Sequence, residues 1–93
     1  LQRGAEQLQA RLPEFQRAMA LETGSSAMWA AFNVKLAAQM LQEAAAMTTQ
    51  ISGEVIPSDE PGRLAMAIRQ PAGVCLGIAP WNAPVILGTR ALA

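Results

Sequence analysis

The stretch from Ala27 to Thr49 is built largely from Ala, Leu, Met and Gln, all good helix formers, interrupted by the odd Asn and Val. Trp29, Phe32, Leu36 and Met40 recur along one side of such a helix, and Val34, Ala37, Leu41 and Ala45 along another. Only a narrow strip around Lys35, Gln39 and Gln42 is polar. A helix that is apolar on most sides must be covered on most sides, so the pattern predicts a central helix enclosed by a larger body. Its many alanines permit close helix approach, and Ser25 or Ser26 stands where a capping hydroxyl is needed.

The flanking segments follow from breakers and periodicity. Leu1, Ala5, Leu8, Leu12, Phe15 and Met19 recur at helical steps, but Pro13 interrupts them. Proline clashes inside a helix and suits a first turn, so one helix is expected to end near Arg11 and a second to begin at Pro13, with Glu14 in its first turn. Gly24 should stop the second. Residues 51–62 turn to Ser, Gly, Pro, Asp and Glu and read as a loop, with turns at Pro57-Ser58-Asp59 and Pro61-Gly62. Residues 63–70 alternate weakly through Leu64, Met66 and Ile68, as in a partly exposed strand, before Pro71-Ala72-Gly73 breaks it. Val74 to Ala79 is a short apolar run suited to a strand buried on both faces. Helix-like spacing resumes at about Ala83. Strand, short turn, then helix is the entry unit of an α/β fold with a parallel sheet, whose ligands gather at the carboxyl ends of the strands. Pro80-Trp81-Asn82 falls at such an end.

Seven basic and seven acidic side chains leave no net charge, which excludes a main role in gripping nucleic acid or an anionic membrane. One cysteine and no histidine exclude an internal disulfide and a zinc centre, so no metal is expected. The segment lacks a long apolar run and the zones of a signal peptide, and a cytoplasmic setting with a small-molecule or protein partner is the expectation. It opens at Leu1 and ends at Ala93 within a helix-favouring stretch, which reads as a piece of a longer chain.

An asparagine beside a helix start is ordinarily a cap or turn residue, and a tryptophan beside it ordinarily core. The other use of a fixed amide N–H at a strand end is to donate to an oxygen that becomes negative during a reaction. The run Gly73-Val74-Cys75-Leu76-Gly77-Ile78-Ala79-Pro80-Trp81-Asn82-Ala83-Pro84 resembles the segment of NAD(P)-dependent aldehyde dehydrogenases that carries their Pro-Trp-Asn motif. Arg3-Gly4-Ala5, Glu22-Thr23-Gly24 and Arg69-Gln70-Pro71 are similar to the family in the same order. The wording from Ile78 to Gly88 and the loop Gly53-Glu54-Val55-Ile56-Pro57-Ser58 look most like its aromatic branch, the salicylaldehyde dehydrogenases above all.

The resemblance implies a role for each residue of the turn. The Asn82 side-chain amide, with the backbone amide of a nucleophilic cysteine, would stabilise the oxyanion of a thiohemiacetal. Ala79, Pro80, Trp81 and Asn82 would line NAD, with Ile78 supporting them. Hydride would pass to the nicotinamide, and water would release the acid from a thioester. The resemblance also implies a parent that is a homodimer or homotetramer acting on a small aromatic aldehyde. Residues 1–62 would be the helical part of the cofactor domain with its connecting loop, 63–70 a strand of the oligomerisation arm, and 71–93 the first strand-turn-helix of the NAD-binding domain.

The family's cysteine nucleophile, glutamate base and glycine-containing cofactor turn are not among these residues, so this stretch alone is expected to be inactive. Cys75 reads as a small buried hydrophobe rather than a substitute nucleophile, and Glu54 and Glu60 as solvated. Ile86 and Arg90 follow Asn82 at steps of four. Many family members carry an aromatic residue at position 90, so Arg90 is a departure that either donates to a ring hydroxyl or stays at the surface in an ion pair. Trp29 is either an aromatic wall for the same ring or core packing. Ala83 leaves room for a flat ring. The rival readings are a family member with another aldehyde, such as benzaldehyde, vanillin or a semialdehyde, and a helical interaction module that is not an enzyme.

Overall fold

Three helices come first in the computed structural model, which describes residues 1–93. Helix α1 spans Gln2–Ala10 and α2 spans Leu12–Thr23, with Pro13 in the first turn of α2 as its fixed φ requires. At the junction Arg11 donates through Nε and Nη2 to Glu14 Oε2 at 3.0 and 2.7 Å. That hydrogen bond, ahead of the charge attraction, holds the Glu14 carboxyl below its ordinary range. The pair is solvent-exposed and fixes geometry more than it stabilises. Helix α2 ends where Gly24 takes a left-handed φ of 69°, with its N–H donating to Ala20 O at 3.2 Å.

Ser26 caps α3, which spans Ala27–Met47, by accepting from Trp29 N at 3.2 Å. Helix α3 is the centre of the packing, in contact with α1, α2 and α4 (Pro84–Leu92). Its buried face comprises Ala30, Asn33, Val34, Ala37 and Ala38, while Lys35, Gln39 and Gln42 are exposed as the pattern predicts. Alanine dominates the buried face, which lets the neighbouring backbones come close. The burial is narrower than expected, because these helices cover one side of α3 and leave Met28, Trp29 and Phe32 exposed. No helix of the chain is long and apolar enough to cross a membrane.

After a short 3-10 turn at Thr48–Gln50, the chain forms a hairpin of β1 (Glu54–Ile56) and β2 (Ala65–Ala67). The strands are antiparallel, with Glu54 opposite Ala67, Val55 opposite Met66 and Ile56 opposite Ala65. Residues 51–62 are therefore not all loop, and the strand expected over 63–70 is shorter than its alternation implied. The tip is Glu60-Pro61-Gly62-Arg63, where Pro61 presets φ, Gly62 takes φ 76°, and Arg63 N donates to Glu60 O at 3.2 Å. A 2.6 Å ion pair between Arg63 and Glu60 spans the same turn.

The hairpin depends on the bare backbone at Gly53, since a Cβ there runs into the carbonyl oxygen of Ala67. Gly53→Ala is expected to open the hairpin. Faster amide hydrogen exchange at residues 54–56 and 65–67 than in the wild type is the check, and unchanged exchange would refute it.

Val74 to Ala79 forms no strand, and Val74, Leu76 and Ile78 are exposed rather than buried. The absence of a strand there has a simple cause. A strand is made by its neighbours' hydrogen bonds, and the only sheet in these residues is the remote hairpin. Cys75, expected inside that strand, is likewise exposed, with its thiol 3.6 Å from Gly73 O.

Candidate active site

The segment from Val74 ends at Pro80 and the chain then folds back as α4. A Cβ placed on Gly77 would stand 2.7 Å from the Ala91 Cβ, and one on Gly88 would stand 4.0 Å from the Ala79 Cβ. The segment and α4 thus run antiparallel, meeting through glycine and alanine. This close return puts Pro80, Trp81 and Asn82 in the connecting turn at the N-terminal end of α4, and Pro84 begins the helix.

Asn82 does not cap that helix. Ala83 occupies the N-cap position, and no side chain caps α4. The Asn82 side chain is exposed, with its amide free of hydrogen bonds to the chain, while its main-chain carbonyl accepts from Trp29 Nε1–H at 2.9 Å. Around it Ile78 is 84% exposed and Trp81 75%, Pro80 is exposed, and Ala79 is half-buried. The result is an open, uncharged shelf with one uncommitted amide beside it. The first N–H groups of α4 add partial positive charge at the same end, which favours an anion.

The remaining candidates are distributed along α3 and α4. Ala83 and Ile86 are buried, with Ile86 on the side of α4 that packs, so these two contribute to the α3–α4 seam. Arg90 is exposed in the last turn of α4, where a cation suits the helix dipole, and shares a groove with Met40, Glu43, Ala44 and Met47. It forms no ion pair, since the pairs of this chain are Arg11 with Glu14 and Arg63 with Glu60. Trp29 lies at the other end of that seam, 42% exposed and stacked on Phe32 with ring centroids 5.3 Å apart. The structure therefore joins Trp29 to Asn82 and keeps Arg90 away from both, because Met40 lies about 16 Å along α3 from Trp29.

Asn33 is the residue that sequence reasoning passed over. It is fully buried on α3, its Nδ2 donates to Trp29 O at 3.1 Å, and its Oδ1 has no partner. A buried amide is costly unless satisfied, so an asparagine one turn after Trp29 in an apolar helix was the available signal. Glu54 and Glu60 are exposed, as expected of solvated carboxylates, and no group of side chains is arranged to hold a metal ion.

Residues 1–93 match the family described as the Aldehyde dehydrogenase family. The vanillin dehydrogenase of Pseudomonas fluorescens is 70% identical over 93 residues, a match that covers 100% of this chain and 19% of that protein. The salicylaldehyde dehydrogenase of Pseudomonas putida is 46% identical over 89 residues, covering 96% of this chain and 18% of that protein. A crystal structure of a salicylaldehyde dehydrogenase from Pseudomonas putida G7, complexed with salicylaldehyde, superimposes with a TM-score of 0.79 at 46% identity. That superposition covers 94% of this chain and 18% of the other. The chain spans about a fifth of the length of these relatives. The fold matches that crystal structure along nearly the whole segment, and the chain belongs to the aldehyde dehydrogenase family.

Proposed function

We propose that this chain is part of an enzyme that oxidises an aromatic aldehyde to its carboxylate with NAD, and that Asn82 donates to the oxyanion formed on the way. One observation carries the role of Asn82. Its amide projects from a tight turn whose carbonyl Trp29 holds, uncommitted to any cap or internal hydrogen bond, and beside the positive end of α4. Preorganised donors of this kind stabilise charge that develops only in the transition state.

The residues present fit a nicotinamide cofactor. The largely exposed shelf of Ile78, Ala79, Pro80 and Trp81 is apolar and uncharged, as a flat ring requires, and its backbone, outside any helix or strand, offers polar groups to a ribose. NAD, when bound, supplies the hydride acceptor. Asn82 orients and polarises the aldehyde oxygen as a cysteine elsewhere in the enzyme attacks the carbonyl carbon. The substrate class rests on likeness to dehydrogenases of vanillin and salicylaldehyde, both hydroxylated benzaldehydes, and the higher identity to the first favours a vanillin-like ring. Ala83 and Ile86 support the wall from its buried side, Trp29 flanks the turn, and a ring lying along α4 from Asn82 carries its hydroxyl toward Arg90, about 12 Å further along the helix. The hairpin belongs to an arm that joins subunits into a dimer or tetramer in the cytoplasm.

NAD reduction by the full-length enzyme, with vanillin, salicylaldehyde, benzaldehyde and an aliphatic aldehyde compared, tests the substrate class. Preference for the aliphatic aldehyde would refute it. Arg90→Ala is expected to lower kcat/KM for the hydroxylated aldehydes about tenfold more than for benzaldehyde, the size of a lost charge-assisted hydrogen bond. Equal losses on all the ring substrates would remove Arg90 from hydroxyl recognition.

A further inference from the structure

The carbonyl of Asn82 lies outside the ladder of α4, whose first bond runs from Leu87 N to Ala83 O at 3.0 Å. Its partner comes from another helix. Trp29 Nε1–H donates to it at 2.9 Å, across a separation of 53 residues. Trp29 is itself fixed at several points. Its main-chain N–H donates to Ser26 Oγ at 3.2 Å, its carbonyl accepts from the buried Asn33 amide at 3.1 Å, and its ring stacks on Phe32 with planes 21° apart. The indole is a braced strut between the capped end of α3 and the turn before α4.

We infer that Trp29 is a positioning residue for Asn82: its indole N–H fixes the Asn82 carbonyl, and with it the residue from which the oxyanion-binding amide projects. The inference rests on the role proposed for Asn82. It differs from an aromatic wall in the part of the side chain that matters. A wall works through the ring face and acts on substrate affinity, whereas the strut works through one N–H and acts on the aim of the amide. An oxyanion donor is effective only when it is held in place before charge develops, so a slack carbonyl lowers turnover and leaves aldehyde binding intact.

Two replacements remove the N–H and keep an aromatic face in the full-length enzyme. One is Trp29→Phe. The other is benzothienylalanine at position 29, which puts sulfur in place of the N–H and preserves the indole shape should phenylalanine unsettle the packing. Each is expected to lower kcat about tenfold, with KM for the aldehyde changed by less than about twofold. Because the strut acts through Asn82, neither should lower turnover further in an Asn82→Ala background. Unchanged kcat with raised KM overturns the inference in favour of the wall, and equal losses in both backgrounds overturn it because Trp29 then acts elsewhere. If Asn82→Ala loses turnover while both Trp29 replacements keep it, the inference alone fails. Full turnover in Asn82→Ala overturns the proposed function and this inference with it.

Discussion

Asn82→Ala in the full-length enzyme is expected to lower kcat about a hundredfold, equivalent to roughly 3 kcal/mol of transition-state stabilisation, with little effect on thermal stability. Both halves of the expectation come from the geometry. The amide makes no hydrogen bond within the chain and caps no helix, so removing it leaves no buried group unpaired. The contact that holds the turn uses the Asn82 carbonyl, which alanine retains. An amide serving only as a structural cap would give the opposite pattern, a lower melting temperature with turnover preserved. Steady-state NADH formation and a melting curve on the same preparation distinguish the two.

The isolated 93-residue chain is expected to show no cooperative unfolding transition and to bind a hydrophobic dye strongly. Its radius of gyration is 18.7 Å, against about 12 Å for a compact domain of this length. It exposes 7320 Å², some 2,000 Å² more than the roughly 5,200 Å² typical of its mass. Ten of its 93 residues are buried, too few to offset an ordering cost of about 1–2 kcal/mol for each residue held in place. Leu76, Ile78 and Trp81 are apolar and exposed in one continuous stretch, which is how a segment behaves when its cover comes from elsewhere. Urea titration followed by circular dichroism is the check. A sharp two-state transition with a slope of about 1 kcal/mol per molar would show that α1, α2 and α3 suffice as a folding unit.

The parts of this fold that the sequence made legible are those set by local chemistry. Pro13, Gly24 and Ser26 each fix a helix boundary through the residue's own backbone or hydroxyl, and the boundaries fall within a residue or two of where those signals stand. The position of the Pro80-Trp81-Asn82 turn was legible for the same reason, since Pro80 and Pro84 bracket it. What was not legible depends on partners distant in the chain. Glu54-Val55-Ile56 is a strand only because Ala65-Met66-Ala67 lies opposite, and three residues among Ser, Gly and Pro carry no period of their own. Val74 to Ala79 has the composition of a buried strand but lacks the adjacent strand that would complete it. The Trp29 to Asn82 bond joins residues that no local pattern relates, and Asn33 gave its one signal as a polar residue in an apolar helix.

Asn82, in the role proposed for it, acts on the oxyanion before hydride leaves, and the first turnover reports that step. Rapid mixing of the full-length enzyme, saturated with NAD, against an excess of vanillin resolves the initial burst of NADH. The burst is expected to slow about a hundredfold in Asn82→Ala, at an aldehyde concentration dependence close to that of the wild type. A burst of wild-type rate in Asn82→Ala would contradict that role and leave this asparagine a residue of the turn alone.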